Sequence, residues 1–339
     1  MKYGLTLGKF LPFHKGHEFL IRTAKMNCDF LTVLVSVSPD DPYTFFQRKT
    51  WIIKCLSKLN FVSYNIIEQK EFDKNTEKDQ HGTIIDEEYW EIWLEDTKRL
   101  LKDRKTSIVF TSDLYGRRIA EELDASWLPV DPNREIFRIS GTKIRENFYN
   151  NSNYLPKYVL DSFTKKIALV GPESVGKSFS ALALARNYYT EYVPEYGRTL
   201  AESKNNELDK IDFMNIYKVQ RSFVTQFMYY IDHPLLFLDS ETITTDIWFR
   251  YFFNEDSPPN RTICFADFYL LLTPEVPFIQ DGTRMTDEIT RWKMFHQIKN
   301  ELEKRDLPYV VISGDSYGQR FDDMNLAVKN YIDKTFNLR

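Results

Sequence analysis

Gly171-Pro-Glu-Ser-Val-Gly-Lys-Ser178 is the stretch on which the reading of this chain turns. It follows the apolar run Lys166–Val170 and opens onto Phe179–Tyr188, whose alanines and leucines read as a helix. Strand, glycine-bounded loop and helix is the context in which the pattern G-x-x-x-x-G-K-[ST] cradles phosphate. Gly171 and Gly176 let the backbone fold round an anion, and the main chain of Glu173, Ser174 and Val175 supplies N–H groups that point at it. Lys177 would then reach the β- and γ-phosphates of ATP, and the Ser178 hydroxyl would hold Mg²⁺. The competing reading is a chance match, against which the flanking strand and helix argue. The loop falls at the midpoint of 339 residues, so a complete second unit is expected ahead of it.

Length alone allows two domains, each with its own core. A net charge of −4 gives no general footprint for nucleic acid, so no such partner is expected. Cys28, Cys55 and Cys264 share no metal-ligand spacing and read as buried thiols of a reducing compartment. Met1-Lys-Tyr-Gly4 runs straight into a strand-like segment without a signal core, and no apolar run approaches a membrane span. A cytoplasmic protein without membrane partners is expected; self-association stays open.

Upstream of the loop, β and α patterns alternate. Tyr3–Leu7 reads as a strand, Glu18–Met26 as a helix and Phe30–Val37 as a buried parallel strand. Phe45–Leu59 (helix) and Val62–Ile67 (strand) follow, then a polar surface loop over Lys70–Asp86. Asp86–Leu101 (helix), Ser107–Thr111 (strand), Arg117–Leu123 (helix) and Trp127–Val130 (strand) complete the series. That alternation predicts a doubly wound parallel sheet, with ligands beyond the carboxyl ends of its strands. His14, His17, Thr111 and Ser112 fall there. The two histidines sit at the mouth of a helix, where they can face polyphosphate, cap the helix, or pair on a metal; no third ligand at sensible spacing supports the last. Ile139-Ser-Gly-Thr-Lys-Ile-Arg145 adds a second phosphate signal. Ser140 can N-cap a short helix, and Arg145 points at the same anion one turn on. Arg48 reads best as part of a solvated helix face.

Gly8-x-Phe10-x-Pro12-x-His14-x-Gly16-His17 and Ile139-Ser140-x-Thr142-x-x-Arg145, in order and about 130 residues apart, resemble the paired signatures of the nucleotidyltransferase superfamily. With Val130-Asp-Pro-Asn-Arg134 and the downstream phosphate loop, nearly the whole chain resembles the bifunctional nicotinamide-mononucleotide adenylyltransferase/ribosylnicotinamide kinase (NadR-type) family. The resemblance implies an α/β chain of two doubly wound parallel-sheet domains. Residues 1–150 would be a Rossmann-like nucleotidyltransferase (HxGH) domain, and residues 164–339 a P-loop kinase domain joined to it across the polar stretch Asn147–Asn153. It implies that Gly8, Lys9, Phe10, His14, His17, Ser140, Thr142 and Arg145 bind the ATP triphosphate as nicotinamide mononucleotide attacks its α-phosphate. Trp90 and Trp93 would stack on the pyridinium ring, or else are ordinary core tryptophans. Members that carry a helix-turn-helix place it ahead of this first strand, so a repressor role is not expected.

The second half supports the kinase reading. Pro194-Glu195-Tyr196-Gly197-Arg198 resembles a segment of the same family, which implies substrate contact for Tyr196. Asp209–Ile231 is a long helical pattern with core enough for two helices. Pro234-Leu-Leu-Phe-Leu-Asp-Ser-Glu241 is an apolar strand tipped by carboxylates, which puts Asp239 on Mg²⁺ beside Ser178. Glu195, Asp239 and Glu241 are all candidates for the base that takes a proton from the acceptor hydroxyl. Asp281-Gly-Thr-Arg284 and Arg291 read as a lid that brings arginine to the γ-phosphate, against a plain solvated pair. Substrates would be ATP, ribosylnicotinamide and nicotinamide mononucleotide, with NAD as product. The alternatives are a nucleotide-sensing regulator with one degenerate site, or the same fold acting on another phosphorylated vitamin precursor.

Overall fold

The structure is a computed structural model that describes residues 1–57, 63–70, 87–102, 105–277 and 286–336. Met1–Val159 and Leu160–Thr335 form two compact units.

In the first, β1 (Tyr3–Gly8), α1 (Lys15–Met26), β2 (Phe30–Val37), α2 (Phe45–Ser57), β3 (Ser63–Lys70), α3 (Glu87–Leu101), β4 (Ile108–Thr111), α4 (Gly116–Glu122) and β5 (Ser126–Pro129) alternate. Three short helices, α5 (Gly141–Glu146), α6 (Phe148–Asn151) and α7 (Lys157–Leu160), end the unit. The sheet is parallel throughout, in the order β3-β2-β1-β4-β5. Buried on both faces, β1 and β2 are the near-continuous apolar runs that a central parallel strand requires. Leu5, Leu7 and Leu34 pack with Trp90, Trp93 and Leu94 of α3 on one face. The strand order reverses between β1 and β4, so their carboxyl-end loops open a crevice there.

The second unit runs β6 (Lys165–Val170), α8 (Lys177–Asn187), β7 (Tyr192–Val193), α9 (Tyr196–Ser203), α10 (Lys210–Tyr230), β8 (Leu235–Leu238), α11 (Thr242–Phe253), β9 (Phe268–Leu272), α12 (Glu288–Lys304), β10 (Tyr309–Ile312) and α13 (Tyr317–Phe336). Its parallel sheet has the order β10-β9-β6-β8-β7. The apolar length of 209–231 is spent on one helix of 21 residues, α10. Asp209 and Asp212 start it with a capping box, each side chain accepting the other's main-chain N–H at 3.0 and 2.8 Å. Leu236, Leu238, Tyr269 and Leu271 from the sheet meet Val224, Ile247 and Ile298 in the core.

Candidate functional site

Each sheet carries a cleft at the carboxyl ends of its strands. The first, of about 810 Å³, collects Gly8, Lys9, Phe10, His14, His17, Trp90, Trp93, Ser140, Thr142 and Arg145 from three separate segments. The histidines form a capping box for α1. The Nδ1 of His14 accepts the His17 N–H, and the Nδ1 of His17 accepts the His14 N–H, both at 3.3 Å. Their rings stack with centroids 3.6 Å apart. A neutral imidazole that accepts at Nδ1 carries its proton on Nε2, so the tautomer is fixed by the cap itself. Burial and the nearby Arg134 charge push the His14 pKa down to about 3, and burial lowers that of His17 too. The cradle therefore offers neutral N–H donors. Capping and phosphate contact, rival readings of the sequence, use different atoms of the same rings.

Ser140 is the N-cap of α5, its Oγ accepting the Lys143 N–H at 3.2 Å. Arg145 donates to the Leu11 carbonyl and, at 3.3 Å, to Thr142 Oγ1. A Cβ at Gly141 would collide with the Leu11 carbonyl, so glycine is what lets the two motifs touch. Phe10 is 1% exposed and lies edge-on to His17, with centroids 4.9 Å apart.

Arg48 overturns its solvated-face reading. It is fully buried, donates to the Lys9 and Ser36 carbonyls at 2.9 Å, and pairs with Asp41 at 3.1 Å. It pins the loop that bears Lys9 from behind. Trp90 and Trp93 are core residues whose edges reach the cleft; the Arg118 guanidinium lies 4.3 Å over Trp90. Thr111 Oγ1 is spent on its own turn, donating to the Asp113 carbonyl at 2.9 Å and accepting from Trp127 at 3.0 Å. Asp113 and Arg134 also line this cleft, and no role was read for them from sequence.

The second cleft, of about 340 Å³, is lined by Glu173, Ser174, Val175, Gly176, Lys177, Ser178 and Glu195. Ser174 and Gly176 have φ of +60° and +87°, the left-handed turns that aim successive N–H groups into one hollow. Lys177 Nζ lies folded onto the Pro172 carbonyl at 2.8 Å. Ser178 hydrogen-bonds to Asp239, whose pKa is raised, chiefly by burial and then by Glu195. Glu195 is raised by burial as well, held in check by Lys177 and by its hydrogen bond with Ser240. Asp239 Oδ1 is buried and without a hydrogen-bond partner. A hydroxyl, a carboxylate oxygen with an open lone pair and adjacent phosphates are the hard donors that Mg²⁺ takes, so Ser178 and Asp239 fit that ion.

Glu241 corrects the idea of a third carboxylate at this site. It is fully buried and N-caps α11, its Oε1 accepting the Ile243 N–H at 2.9 Å and its Oε2 the Tyr269 hydroxyl at 3.4 Å. Arg291 corrects the lid reading in the same way. At 2% exposed, it donates to the carbonyls of Glu173 (3.1 Å), Ser174 (3.3 Å) and Val276 (3.2 Å), bracing the phosphate loop from behind. Arg284 lies outside the described residues, as do positions 71–86 of the expected polar loop. Tyr196 is turned edge-on to Phe223, with centroids 5.6 Å apart, while Arg198, Thr245 and Trp248 line the cleft in its place. Arg198 has one usable sign in the sequence, its place in the Glu-Tyr-Gly-Arg run.

With this geometry in hand, the relatives can be placed. A family model described as an AAA domain matches residues 166–320. The trifunctional NAD biosynthesis/regulator protein NadR of Escherichia coli (strain K12) is 24% identical over 341 residues, 94% of this chain and 80% of that protein. This chain is thus similar to NadR along nearly its whole length. A crystal structure of NadR protein in complex with NAD and AMP-PNP superposes with a TM-score of 0.67 at 20% identity, covering 97% of this chain and 96% of that one. What it shares with NadR is therefore the fold, in both α/β halves. Phosphopantetheine adenylyltransferase of Clostridium perfringens (strain ATCC 13124) is 26% identical over 174 residues, which is 50% of this chain and 96% of that protein. Among the described residues no helix is long and apolar enough to cross a membrane.

Proposed function

We propose that this chain makes NAD in two successive steps, each on one of its clefts. The second unit phosphorylates the 5′-hydroxyl of ribosylnicotinamide with ATP, and the first joins the resulting mononucleotide to AMP. The observation that carries the reading is the pair of separate clefts, each lined by residues of phosphate-binding motifs from distant segments, in a chain similar to NadR over 94% of its length.

In the first cleft, a 5′-phosphate oxygen of nicotinamide mononucleotide attacks the α-phosphorus of ATP. One P–O bond forms, the bond to the β-phosphate oxygen breaks, and pyrophosphate leaves. No protein nucleophile is needed; positioning and charge stabilisation carry the step. His14 donates from Nε2, and Arg145 places a fixed charge beside the Ser140 helix start, where negative charge accumulates on the leaving group. In the second cleft the acceptor hydroxyl attacks the γ-phosphorus and ADP leaves. Mg²⁺, when bound by Ser178 and Asp239, draws charge off the β- and γ-phosphates. With Glu241 committed to its helix and Asp239 to the metal, Glu195 takes the hydroxyl proton.

ATP, Mg²⁺ and labelled ribosylnicotinamide given to the purified chain should yield labelled NAD. Label that stops at the mononucleotide would leave the kinase half alone standing. A second reading, adenylyl transfer to another phosphorylated precursor, draws on the likeness to phosphopantetheine adenylyltransferase, which covers only half the chain. Pyrophosphate release across a panel of acceptors separates the two.

A further inference from the structure

Arg134 lines the same cleft as the histidine pair without belonging to either phosphate motif. It sits in the loop after β5, which Asp131 ties down. Asp131 Oδ1 accepts the N–H groups of Glu135 (2.8 Å) and Ile136 (3.1 Å), and its Oδ2 accepts that of Phe137 (3.1 Å). Asp131 and Arg134 both have φ of +52°, a conformation that side chains other than glycine avoid and that persists only where the surroundings impose it. The loop thus delivers one guanidinium to the cleft. There Arg134 Nη2 lies 3.5 Å from Asp113 Oδ1, with both side chains a little under half exposed. Asp113 is itself fixed in the turn after β4, its carbonyl accepting from Thr111 Oγ1 at 2.9 Å and from the Gly116 N–H at 3.1 Å. The Arg134 charge is felt at both His14 and His17.

Two features of this pair bear on anion binding. The ion pair is long and solvated, a class that holds its partners weakly, so the guanidinium can change partner. The groups beneath it are neutral donors, which leaves Arg134 as a positive charge aimed at the place where the triphosphate reading puts an anion. We propose that Arg134 contacts polyphosphate in the first cleft, and that Asp113 is a positioning residue that competes with phosphate for it and so sets how readily pyrophosphate departs. This rests on the adenylyltransferase reading for its biological setting. Its chemistry, a polyphosphate exchanged against a carboxylate on one arginine, can be tested without it.

The full chain carrying Lys177→Met, which disables the other phosphate loop, is titrated with inorganic pyrophosphate by calorimetry. Asp113→Asn, Arg134→Met and the double variant are compared in that background. Arg134→Met should weaken pyrophosphate binding about tenfold, the worth of one charged hydrogen bond. Asp113→Asn should tighten it about two- to fivefold, a gain that misfolding cannot produce. In the double variant the effect of Asp113→Asn should vanish. Tightening that survives in the Arg134→Met background, or weakening by Asp113→Asn alone, overturns the proposal. Should these titrations behave as expected while the parent chain makes no NAD from the mononucleotide, the functional reading fails and the clamp stands. If NAD is made and Asp113→Asn leaves pyrophosphate affinity unchanged, the clamp fails alone.

Discussion

Replacing Arg291 with methionine separates a brace from a lid. Methionine fills most of the buried volume and offers no donor, so the carbonyls of Glu173, Ser174 and Val276 lose the guanidinium that now serves them. A hydrogen bond to a charged donor contributes about 1.5–3 kcal/mol. These three, at 3.1–3.3 Å, are longer than the usual 2.9 Å and belong at the low end of that range. Their loss is not additive, and relief of a buried charge offsets part of it, which leaves a net cost of about 3 kcal/mol. For a unit of this size that is a fall of roughly 6–12 °C in melting temperature.

The assay is calorimetry of the ligand-free chain, followed by kinase kinetics well below the new transition. A brace predicts early melting of the ligand-free protein and weaker ATP binding, because the phosphate loop loses its backing before any substrate arrives. Arg291→Lys should recover little, since an ammonium cannot reach three carbonyls as a planar fork does. A lid arginine predicts the opposite pattern. If Arg291→Met leaves ligand-free melting unchanged while kcat drops a hundredfold or more, the bracing argument is refuted.

Lys177→Ala should abolish phosphorylation of ribosylnicotinamide and leave adenylylation of added mononucleotide intact; loss of both in a folded protein would show that the sites are not independent. Glu241→Gln should keep kinase activity, because glutamine still accepts the Ile243 N–H, whereas Glu195→Gln should remove it with nucleotide binding retained. Burial lifts the Glu241 pKa to about 8. A carboxyl raised in the folded state contributes stability below its unfolded pKa that is lost as pH rises through the folded value. Parent and Glu241→Gln should therefore match in melting at about pH 4, the parent losing ground steadily as pH rises from there to about 8 and no further beyond. For catalysis, Asp239 is lifted to about 7, so kinase kcat/KM for ATP should climb between roughly pH 6 and 8 as the metal-binding carboxylate ionises. Adenylyl transfer should not follow that rise, because His14, at about 3, is neutral throughout the window; a parallel climb in both activities would contradict the assignment.

Where a reading rested on main-chain periodicity or close-range motifs, the elements form as expected, with bounds such as Lys15–Met26 for Glu18–Met26 and Ser63–Lys70 for Val62–Ile67 shifted by a few residues. Phe30–Val37 and Thr242–Phe253 begin and end where their apolar runs do, and the loop from Gly171 to Ser178 turns as its glycines require. Two of the errors share one physical source. Arg48 and Arg291 were read by their charge, and charge favours the surface; what buries them is a set of carbonyls, and carbonyls carry no signature in sequence. The Lys9 carbonyl that Arg48 meets is 39 residues away, and the Glu173 carbonyl that Arg291 meets is 118. Glu241 was different, because the signal was there to see. It immediately precedes a helix, the position at which an acidic side chain caps free N–H groups. Its nearness to Asp239 masked that sign.

The two cradles solve one electrostatic problem in opposite ways, and the difference bears on direction. In the second unit the proposed anion would meet a lysine, a candidate metal site and main-chain N–H groups, beside Glu195 and Asp239, whose carboxyl pKa values burial raises. Binding there is coupled to ionisation, so the site is best organised once triphosphate and metal are both in place. In the first unit the histidines are locked into one tautomer by their reciprocal caps and start out neutral. As neutral donors they would need no proton to bind a triphosphate, and their Nε2–H hydrogen bonds would strengthen as charge accumulates on departing pyrophosphate. Their help therefore grows along the reaction coordinate, which is the condition for an interaction to raise kcat instead of only lowering KM. Asn in place of His14 could keep the cap through its side-chain oxygen but would not place a donor where Nε2 lies. His14→Asn should accordingly bind ATP within about threefold of the parent while losing on the order of a hundredfold in adenylyl transfer. Equal losses in binding and turnover would mean that the histidine donors serve ground state and transition state alike.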